Sequence, residues 1–201
     1  MARLKKEERE EVLSKTRSLL LQAAAEAFAR EGYEGANINT ISLSAGFAKG
    51  TIYNYFPSKR DLMLALIDDT AAQHLEYIQE KVLETENPGE RLELFFEAGF
   101  AFVPENLPQA RVMVNNIYGP DVELKEYMYR AYLAMFQLVA QEILAPGIAQ
   151  GVFRELDPVT TANLLMTVYL GTGSSVDDQG RQWLQANQVA DFVLHGLYRG
   201  E

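Results

Sequence analysis

Two short helical segments separated by a three-residue turn lie near the start of this 201-residue chain. Asn37 is a suitable N-cap for the first segment, and apolar residues recur within it at helical spacing. The turn contains Gly46, and the second segment, 49–56, ends before Pro57, which cannot continue a helix. Two short helices joined by such a turn form a helix-turn-helix, so this pattern strongly limits how residues 37–56 can fold.

The rest of the chain also has the pattern of helices. Glycine and proline fall at breaks between segments, apolar residues recur at spacings of three and four, and alternation at period two is rare. We therefore predict an all-α fold. An extension of the first helix toward Glu7 stays open against a frayed tail, and Ser58 caps a long helix with Asp61 at its third position. The longer predicted helices cover about 14–30, from 58 onward, 88–103, 107–118, 121–149, 158–177 and 182–199.

The composition excludes several classes of protein. Because the chain has no cysteine, it cannot contain a disulfide scaffold, a thiol nucleophile or a cysteine metal site. Its two histidines, His74 and His195, are far apart in sequence, so we expect neither a metal nor a cofactor. No apolar run reaches the roughly 18 residues of a membrane span, and residues 1–12 lack the apolar core of a signal peptide. We expect a cytoplasmic protein.

The charge is unevenly distributed along the sequence. The net charge of −10 by itself argues against nucleic-acid binding, because an acidic surface repels phosphate. However, residues 1–61 hold 10 basic and 8 acidic residues, whereas residues 62–201 hold 8 basic and 20 acidic residues. Residues 36–60 contain three bases and no acid. A locally basic N-terminal region favours contact with nucleic acid there, although chance clustering of charge stays open.

The segment 49–56, KGTIYNYF, holds the most informative side chains. On a helix, Ile52 and Phe56 face inward with Tyr53 beside them, and the opposite face suits the major groove of DNA. The outward residues are Lys49, Gly50, Thr51, Asn54 and Tyr55. An aromatic core cluster is the alternative interpretation of this run, and the adjacent turn makes it the weaker one.

Each outward residue type has a plausible contact with a duplex. Lys49 can reach guanine or a phosphate, and Asn54 can pair with adenine. Thr51 can donate to a phosphate, the tyrosine hydroxyls can contact the DNA backbone, and Gly50 permits close approach. Lys59 opens the next helix, where it can hold a phosphate together with free backbone N–H groups.

The stretch from about 16 to 66 resembles the N-terminal domain of TetR/AcrR-type transcriptional regulators. The matching motifs are AAAEAFAREGYEGANINTIS (23–42) and AGFAKGTIYNYFPSKRDLMLAL (45–66), and the resemblance covers about a quarter of the chain. It implies a three-helix DNA-binding domain over 1–60, with a recognition helix at about 49–56, and a helical ligand-binding and dimerisation domain over 61–201. It assigns DNA binding to Lys49, Gly50, Thr51, Tyr53, Asn54, Tyr55 and Lys59.

The resemblance also implies a function. It predicts a homodimer that binds a palindromic operator in double-stranded DNA, acts as a repressor and is released by a small, largely apolar effector. It implies no enzymatic activity. A four-helix bundle from 158–177 and 182–199 would form the dimer, which agrees with the apolar residues on both sides of these two helices.

Some positions depart from the family pattern. Ala48 stands where the family usually has Ser or Thr, and Leu43 and Ser44 replace a polar or charged pair. These departures and the acidic net charge leave an alternative open, in which the chain is a ligand-binding or interaction protein whose N-terminal domain no longer binds DNA. An enzyme is the other alternative, but there is no phosphate loop, and the serine-rich spot Gly173-Ser174-Ser175 has no identifiable base.

Apolar and aromatic residues with polar tips recur in the middle helices. This composition is typical of a cavity for a largely apolar ligand, and equally of a plain helical core. The predicted ligand-binding residues are Phe100, Met113, Ile117, Tyr118, Tyr132, Phe136, Met166 and Tyr169. Solvated acids are the simpler interpretation of Glu97, Asp121, Asp177 and Asp178, which could otherwise select a cation. We expect both histidines to be surface residues or hydrogen-bonded ones.

Overall fold

The computed structural model has the predicted all-α fold. It describes residues 6–173, 175–177, 179 and 181–199. The chain divides into two compact units, an N-terminal unit, Met1–Asp69, and a C-terminal unit, Thr70–Glu201. This division falls within a helix and concerns packing alone, and the functional boundary at residue 60 stays a prediction.

The N-terminal unit is a small helical bundle. Its apolar stripes converge on one core, in which the side chains of Phe28, Ile41, Ile52 and Leu62 are almost completely buried. Its elements are α1 (Lys6–Gly35), α2 (Ile38–Ser44), a 3₁₀ turn (Thr51–Asn54) and the first part of α3 (Lys59–Val82).

Helix α1 is longer than its apolar stripe predicts. It begins at Lys6, so the extension toward Glu7 is helical and the frayed-tail alternative is wrong for these residues. Gly32 breaks the helical geometry near its end, with φ 73° and ψ 170°. This positive φ is open to glycine and lets the Tyr33 ring fold back onto Phe28, with ring centroids 5.9 Å apart.

The caps of the next helices are those that the sequence predicts. The Asn37 side chain accepts backbone N–H bonds from Asn39 and Thr40 at the start of α2. At the start of α3, the Asp61 backbone N–H donates to Ser58 Oγ at 3.1 Å, and the Ser58 hydroxyl donates to the Asp61 carboxylate at 2.6 Å. These side chains satisfy backbone groups that a helix end leaves free.

The segment 49–56 is not the α-helix that we predict from sequence. Only Thr51–Asn54 is helical, as a 3₁₀ turn, and a single α-type hydrogen bond runs from Phe56 N to Ile52 O at 2.9 Å. Glycine, two β-branched residues and three aromatic residues within eight positions lower the helix propensity. The following proline then prevents continuation, so the segment keeps right-handed backbone geometry without a full α-helix.

The C-terminal unit is a larger helical bundle around an aromatic core. Phe95, Phe96, Ile143 and Tyr169 are among its buried side chains. Besides the end of α3, its helices are α4 (Pro88–Glu105), α5 (Leu107–Ile117), α6 (Val122–Ala131), α7 (Leu133–Leu138), a π-helix (Val139–Leu144), α8 (Ala145–Ala149), α9 (Pro158–Gly173) and α10 (Ala186–Leu197).

The predicted single helix over 121–149 is broken into four pieces. A bend lies at Tyr132, and the π-helix follows at Val139–Leu144. The Arg91 guanidinium donates to the backbone oxygen of Glu142 at 2.7 Å. This carbonyl therefore has a partner outside its own helix, which favours a local change in helical geometry.

The last two helices are shorter than predicted but have the predicted faces. Helix α9 buries Ala162 and Leu165, whereas Leu164, on its other face, is 63% exposed. Helix α10 buries Val193, whereas Phe192 is 78% exposed. An apolar face therefore stays uncovered on each of these helices within one chain.

Within the residues that the structure describes, no single helix is long and apolar enough to cross a membrane. One pair of helices bent by 46°, Val122–Ala131 with Leu133–Ala149, has the length and composition of a membrane span. The same part of the chain contains no group of three or more side chains suited to hold a metal ion.

Candidate DNA-binding surface and ligand cavity

The N-terminal unit presents a polar surface around its 3₁₀ turn. Lys49, Gly50 and Asn54 are exposed, and Thr51 and Tyr55 are half-buried. The structure thus brings together the predicted DNA-binding residues of this segment although the segment is not an α-helix. Ile52 and Phe56 are buried beneath them, as we predict.

Tyr53 differs from its predicted packing. The sequence places its ring beside the core residues Ile52 and Phe56, but the side chain is 46% exposed. The tighter 3₁₀ geometry rotates position 53 away from the direction it would have on an α-helix. Its hydroxyl is therefore accessible, as a contact with the DNA backbone requires.

Ser42 lies beneath this surface and is a residue that sequence reasoning missed. It is fully buried, and its hydroxyl donates to the backbone oxygen of Ala48 at 2.7 Å. The same oxygen accepts the Thr51 backbone N–H at 2.9 Å. Ser42 on α2 therefore fixes the turn against the start of the next segment. A serine on the buried face of a short helix just before a turn is the signal that could have identified it.

Lys59 has a structural role that we did not predict. Its ammonium donates to the backbone oxygens of Glu34 and Ala36, at 3.1 and 3.2 Å, and lies 4.7 Å from the centroid of the Tyr33 ring. These contacts fix the chain just after α1, where carbonyl groups carry partial negative charge. Nearby, the side chains of Ser58 and Asp61 hydrogen-bond to each other. The contact of Lys59 with a DNA phosphate stays a prediction.

The C-terminal unit contains two adjoining cavities with mostly apolar walls. We call the first the histidine cavity, with a volume of about 50 Å³ and walls formed by Thr70, His74, Phe102, Val103, Ala110, Met113, Val114, Ile117, Tyr132, Tyr169 and Leu170. We call the second the methionine cavity, with a volume of about 190 Å³ and walls formed by Met113, Ile117, Lys125, Met128, Tyr129, Tyr132, Phe136, Met166 and Leu170. Four residues are common to both walls.

Most of the predicted ligand-binding residues line these cavities. Met113, Ile117 and Tyr132 line both, Phe136 and Met166 line the methionine cavity, and Tyr169 lines the histidine cavity. Two do not. Phe100 is buried in the aromatic core against Phe96 and Tyr169, and Tyr118, after the end of α5, is 67% exposed. Helical spacing alone does not distinguish a core face from a cavity face.

His74 is central to the histidine cavity, and sequence reasoning did not place it there. Its Nε2 atom lies 2.6 Å from the Tyr169 hydroxyl, and its ring stacks on Phe102 at 4.3 Å. Burial lowers the pKa of His74 from 6.5 to about 4, so the ring is neutral at physiological pH. Of the two sequence alternatives, a hydrogen-bonded histidine is right and a surface histidine is wrong.

The tyrosines of the same cavity also stay neutral. Burial raises the pKa of Tyr132 and, together with the nearby Tyr132, the pKa of Tyr169. The walls of the histidine cavity therefore carry hydroxyl and imidazole groups without charge. Lys125 on α6 contributes the one charged side chain among the residues that line the methionine cavity.

The acids that could have selected a cation lie elsewhere. Asp121 caps α6 by accepting the Leu124 N–H, and Asp177 accepts bonds from the Arg181 backbone and guanidinium. Glu97 lines a separate polar groove with Asp191. Asp178 and Ser174 lie outside the described residues.

The N-terminal unit is similar to a known family of proteins. The sequence model described as "Bacterial regulatory proteins, tetR family" matches residues 20–66, which include α2, the turn and the segment 49–56. Residues 20–66 therefore match the TetR family of bacterial regulatory proteins. This match supports a DNA-binding transcriptional regulator.

Similarity to known regulators extends beyond the N-terminal unit. The fatty acid metabolism regulator protein of Bacillus subtilis is 27% identical over 174 residues, which cover 87% of this chain and 86% of that protein. The crystal structure of FadR from Bacillus subtilis in complex with stearoyl-CoA has a TM-score of 0.81 at 24% identity, covering 90% of this chain and 99% of that one.

A second solved structure has the same fold. AibR in complex with isovaleryl coenzyme A and operator DNA has a TM-score of 0.71 at 20% identity, and the match covers 91% of this chain and 98% of that one. At these identities the two solved structures establish likeness of fold. They show that the helical fold over most of the chain, and not that of its N-terminal unit alone, is shared with these two structures.

Proposed function

We propose that this TetR-family protein is a repressor that binds a palindromic operator as a homodimer and is released by an acyl-CoA thioester. The observation that carries the proposal is the pair of apolar cavities in a chain whose other unit presents a surface for DNA. A plain helical core is the alternative from sequence, and the open space beside the apolar walls supports the ligand-binding interpretation.

The acyl-CoA class is supported by the cavity walls and by the relatives. Methionine, isoleucine and phenylalanine side chains form walls suited to a hydrocarbon chain, and methionine adapts to irregular shapes. FadR of Bacillus subtilis was solved with stearoyl-CoA and AibR with isovaleryl coenzyme A. Lys125 supplies a positive charge at the methionine cavity, which favours an anionic end on the ligand.

The proposed DNA-binding residues are those of the exposed surface, Lys49, Gly50, Thr51, Tyr53, Asn54, Tyr55 and, less directly, Lys59. Two copies of this surface bind successive major grooves when they are about 34–36 Å apart, one helical turn of B-DNA. The apolar faces of α9 and α10, with Leu164 and Phe192 exposed, supply the contact that forms the dimer. The dimer symmetry then requires a palindromic site.

Helix α3 connects the two functions. It runs from Lys59 to Val82, contributes to the core of the N-terminal unit and carries Thr70 and His74 in the wall of the histidine cavity. A ligand that favours one conformation of this wall changes the fraction of dimers whose two N-terminal units are spaced to fit the operator. The operator affinity then falls by at most the difference in ligand affinity between the two states.

Selection of random and genomic duplexes on the purified dimer tests the DNA-binding part. We expect enrichment of a palindrome at moderate salt, and no enrichment by the double variant Lys49→Ala/Asn54→Ala, whose two side chains are exposed and outside the core. Lys81→Ala is the matched control, because it removes one exposed lysine from the other unit and keeps the head intact.

Two outcomes would favour the alternatives. If the unmodified protein enriches no sequence at low salt, the result would support the alternative in which the N-terminal unit no longer binds DNA. We infer that the chain acts by binding and not by catalysis, so turnover of an acyl-CoA thioester by the purified protein would contradict the proposal. Because an operator is chromosomal DNA, we also propose a cytoplasmic location.

A further inference from the structure

The Tyr132 hydroxyl stands out among the polar atoms of the two cavities. Tyr132 lies at the bend between α6 and α7, and its side chain is part of both cavity walls. Within the part of the chain that the structure describes, this hydroxyl has no hydrogen-bond partner. Every fully buried side-chain N or O atom in this part has a partner, so the hydroxyl is accessible, and Tyr132 lines both cavities.

His74 adds a second polar group on the same wall. Its ring is held by stacking on Phe102 and edge-on against Tyr132, whose ring centroid is 6.0 Å away. With Nε2 paired to the Tyr169 hydroxyl at 2.6 Å, the other ring nitrogen, Nδ1, has no partner among the described residues. The side chain is 94% buried, so its orientation cannot adjust freely to solvent.

These groups recognise a particular kind of ligand atom. The described walls of the histidine cavity contain no charged residue, so a carboxylate or phosphate would lose its hydration there without gaining a counter-ion. A wholly hydrocarbon ligand would leave the Tyr132 hydroxyl without a hydrogen bond once water is expelled, which is unfavourable in an apolar site. A neutral oxygen atom of the ligand needs no counter-ion and can form a hydrogen bond with the Tyr132 hydroxyl.

We propose that the histidine cavity binds a neutral oxygen, a hydroxyl or keto group, carried on the hydrocarbon chain of the ligand, through Tyr132 and His74. The inference rests on the proposed acyl-CoA function and specifies it further. The methionine cavity then takes the unsubstituted part of the chain, and the regulator responds to oxygenated acyl-CoA thioesters in preference to saturated, unsubstituted ones.

Direct binding measurements test this without DNA. Hexadecanoyl-CoA is compared by titration calorimetry with hexadecanoyl-CoA thioesters that carry one hydroxyl or keto group at successive chain positions. We expect at least one oxygenated isomer to bind about threefold to tenfold more tightly than the unsubstituted chain, the range of one net hydrogen bond.

The variant Tyr132→Phe removes the hydroxyl and keeps the ring. It should abolish the preference for the oxygenated isomer, which is measured as the ratio of the two affinities within the same variant. Tyr129→Phe is the matched control, because Tyr129 also lines the methionine cavity but is half exposed and outside the histidine cavity. It should keep the preference. Tyr169→Phe removes the partner of His74 and should weaken the preference as well.

The outcomes separate the inference from the proposed function. If hexadecanoyl-CoA binds and every oxygenated isomer binds equally or more weakly, the inference is overturned and the acyl-CoA function stands. A preference that persists in Tyr132→Phe also overturns it. If no acyl-CoA thioester binds at all, the proposed effector class itself is wrong, and the inference is lost with it.

Discussion

The fold does not require glycine at position 50, whereas the proposed DNA contact does. The Gly50 φ of −82° is open to any residue, and a Cβ added there would meet no atom within 4 Å. The variant Gly50→Ala should therefore keep the stability of the protein within about 0.5 kcal/mol. It should weaken operator binding, because the new methyl group lies on the surface that we propose contacts the duplex. Chemical denaturation and operator titration measure the two effects, and unchanged operator affinity would contradict this role.

His74 should make stability depend on pH in a defined window. Its pKa is about 4 in the folded protein and 6.5 in the unfolded chain, so between these values the unfolded chain binds the extra proton. Stability from this residue is complete above pH 6.5 and is lost as the pH falls toward 4, by about 3 kcal/mol in total.

The carboxylates of the chain also titrate in this range, so the histidine contribution needs a difference measurement. The free energy of unfolding of wild type and His74→Gln is compared from pH 7 to pH 4. The variant should lose less stability over this range than wild type does. Parallel curves for wild type and His74→Gln would contradict the assignment.

Residue roles that depend on local sequence could be predicted, and those that depend on distant packing could not. Asn37, Ser58 and Asp61 form caps because their partners lie within three residues. The position of His74 in a cavity wall depends on which face of α3 the C-terminal unit covers. The sequence has no signal for that face beyond the apolar spacing shared with an ordinary core.

At the scale of elements, the uncapped start of the 49–56 segment is open to improvement. The 3₁₀ turn has no side-chain cap, and Ala48, exposed just before it, has no hydroxyl to provide one. Ala48→Ser should supply an acceptor for a free backbone N–H and stabilise the N-terminal unit by about 0.5–1 kcal/mol. Operator binding should tighten as well. A loss of stability on this substitution would mean that the cap geometry is not available.

Elements differ in how far their own sequence determines them. Most helix positions follow from apolar spacing and from glycine and proline breaks. The break within 121–149 does not, because the Glu142 carbonyl is held by Arg91, 51 residues earlier in the chain. The 3₁₀ turn at Thr51–Asn54 is a third case, in which the preceding turn and the following proline predict a helix although the helix propensities of the segment are weak.

At the scale of the whole molecule, the proposed dimer forms through the apolar faces of α9 and α10. The double variant Leu164→Glu/Phe192→Glu places two charges on exposed positions, so it should leave the fold of each chain intact. It should convert the dimer to a monomer and lower operator affinity at least tenfold, while hexadecanoyl-CoA still binds. Light scattering after size-exclusion chromatography gives the mass, and a dimeric variant would show that the interface lies elsewhere.

Ligand binding in the C-terminal unit should control DNA binding by the N-terminal unit. A titration of the complex between the dimer and its selected operator with acyl-CoA thioesters at fixed salt tests this directly, with free coenzyme A and a Met166→Glu variant as controls. Operator affinity should fall at least fivefold with acyl-CoA and should not fall with coenzyme A, and the variant should stay bound to the operator. Operator affinity that is unchanged at saturating acyl-CoA would contradict it.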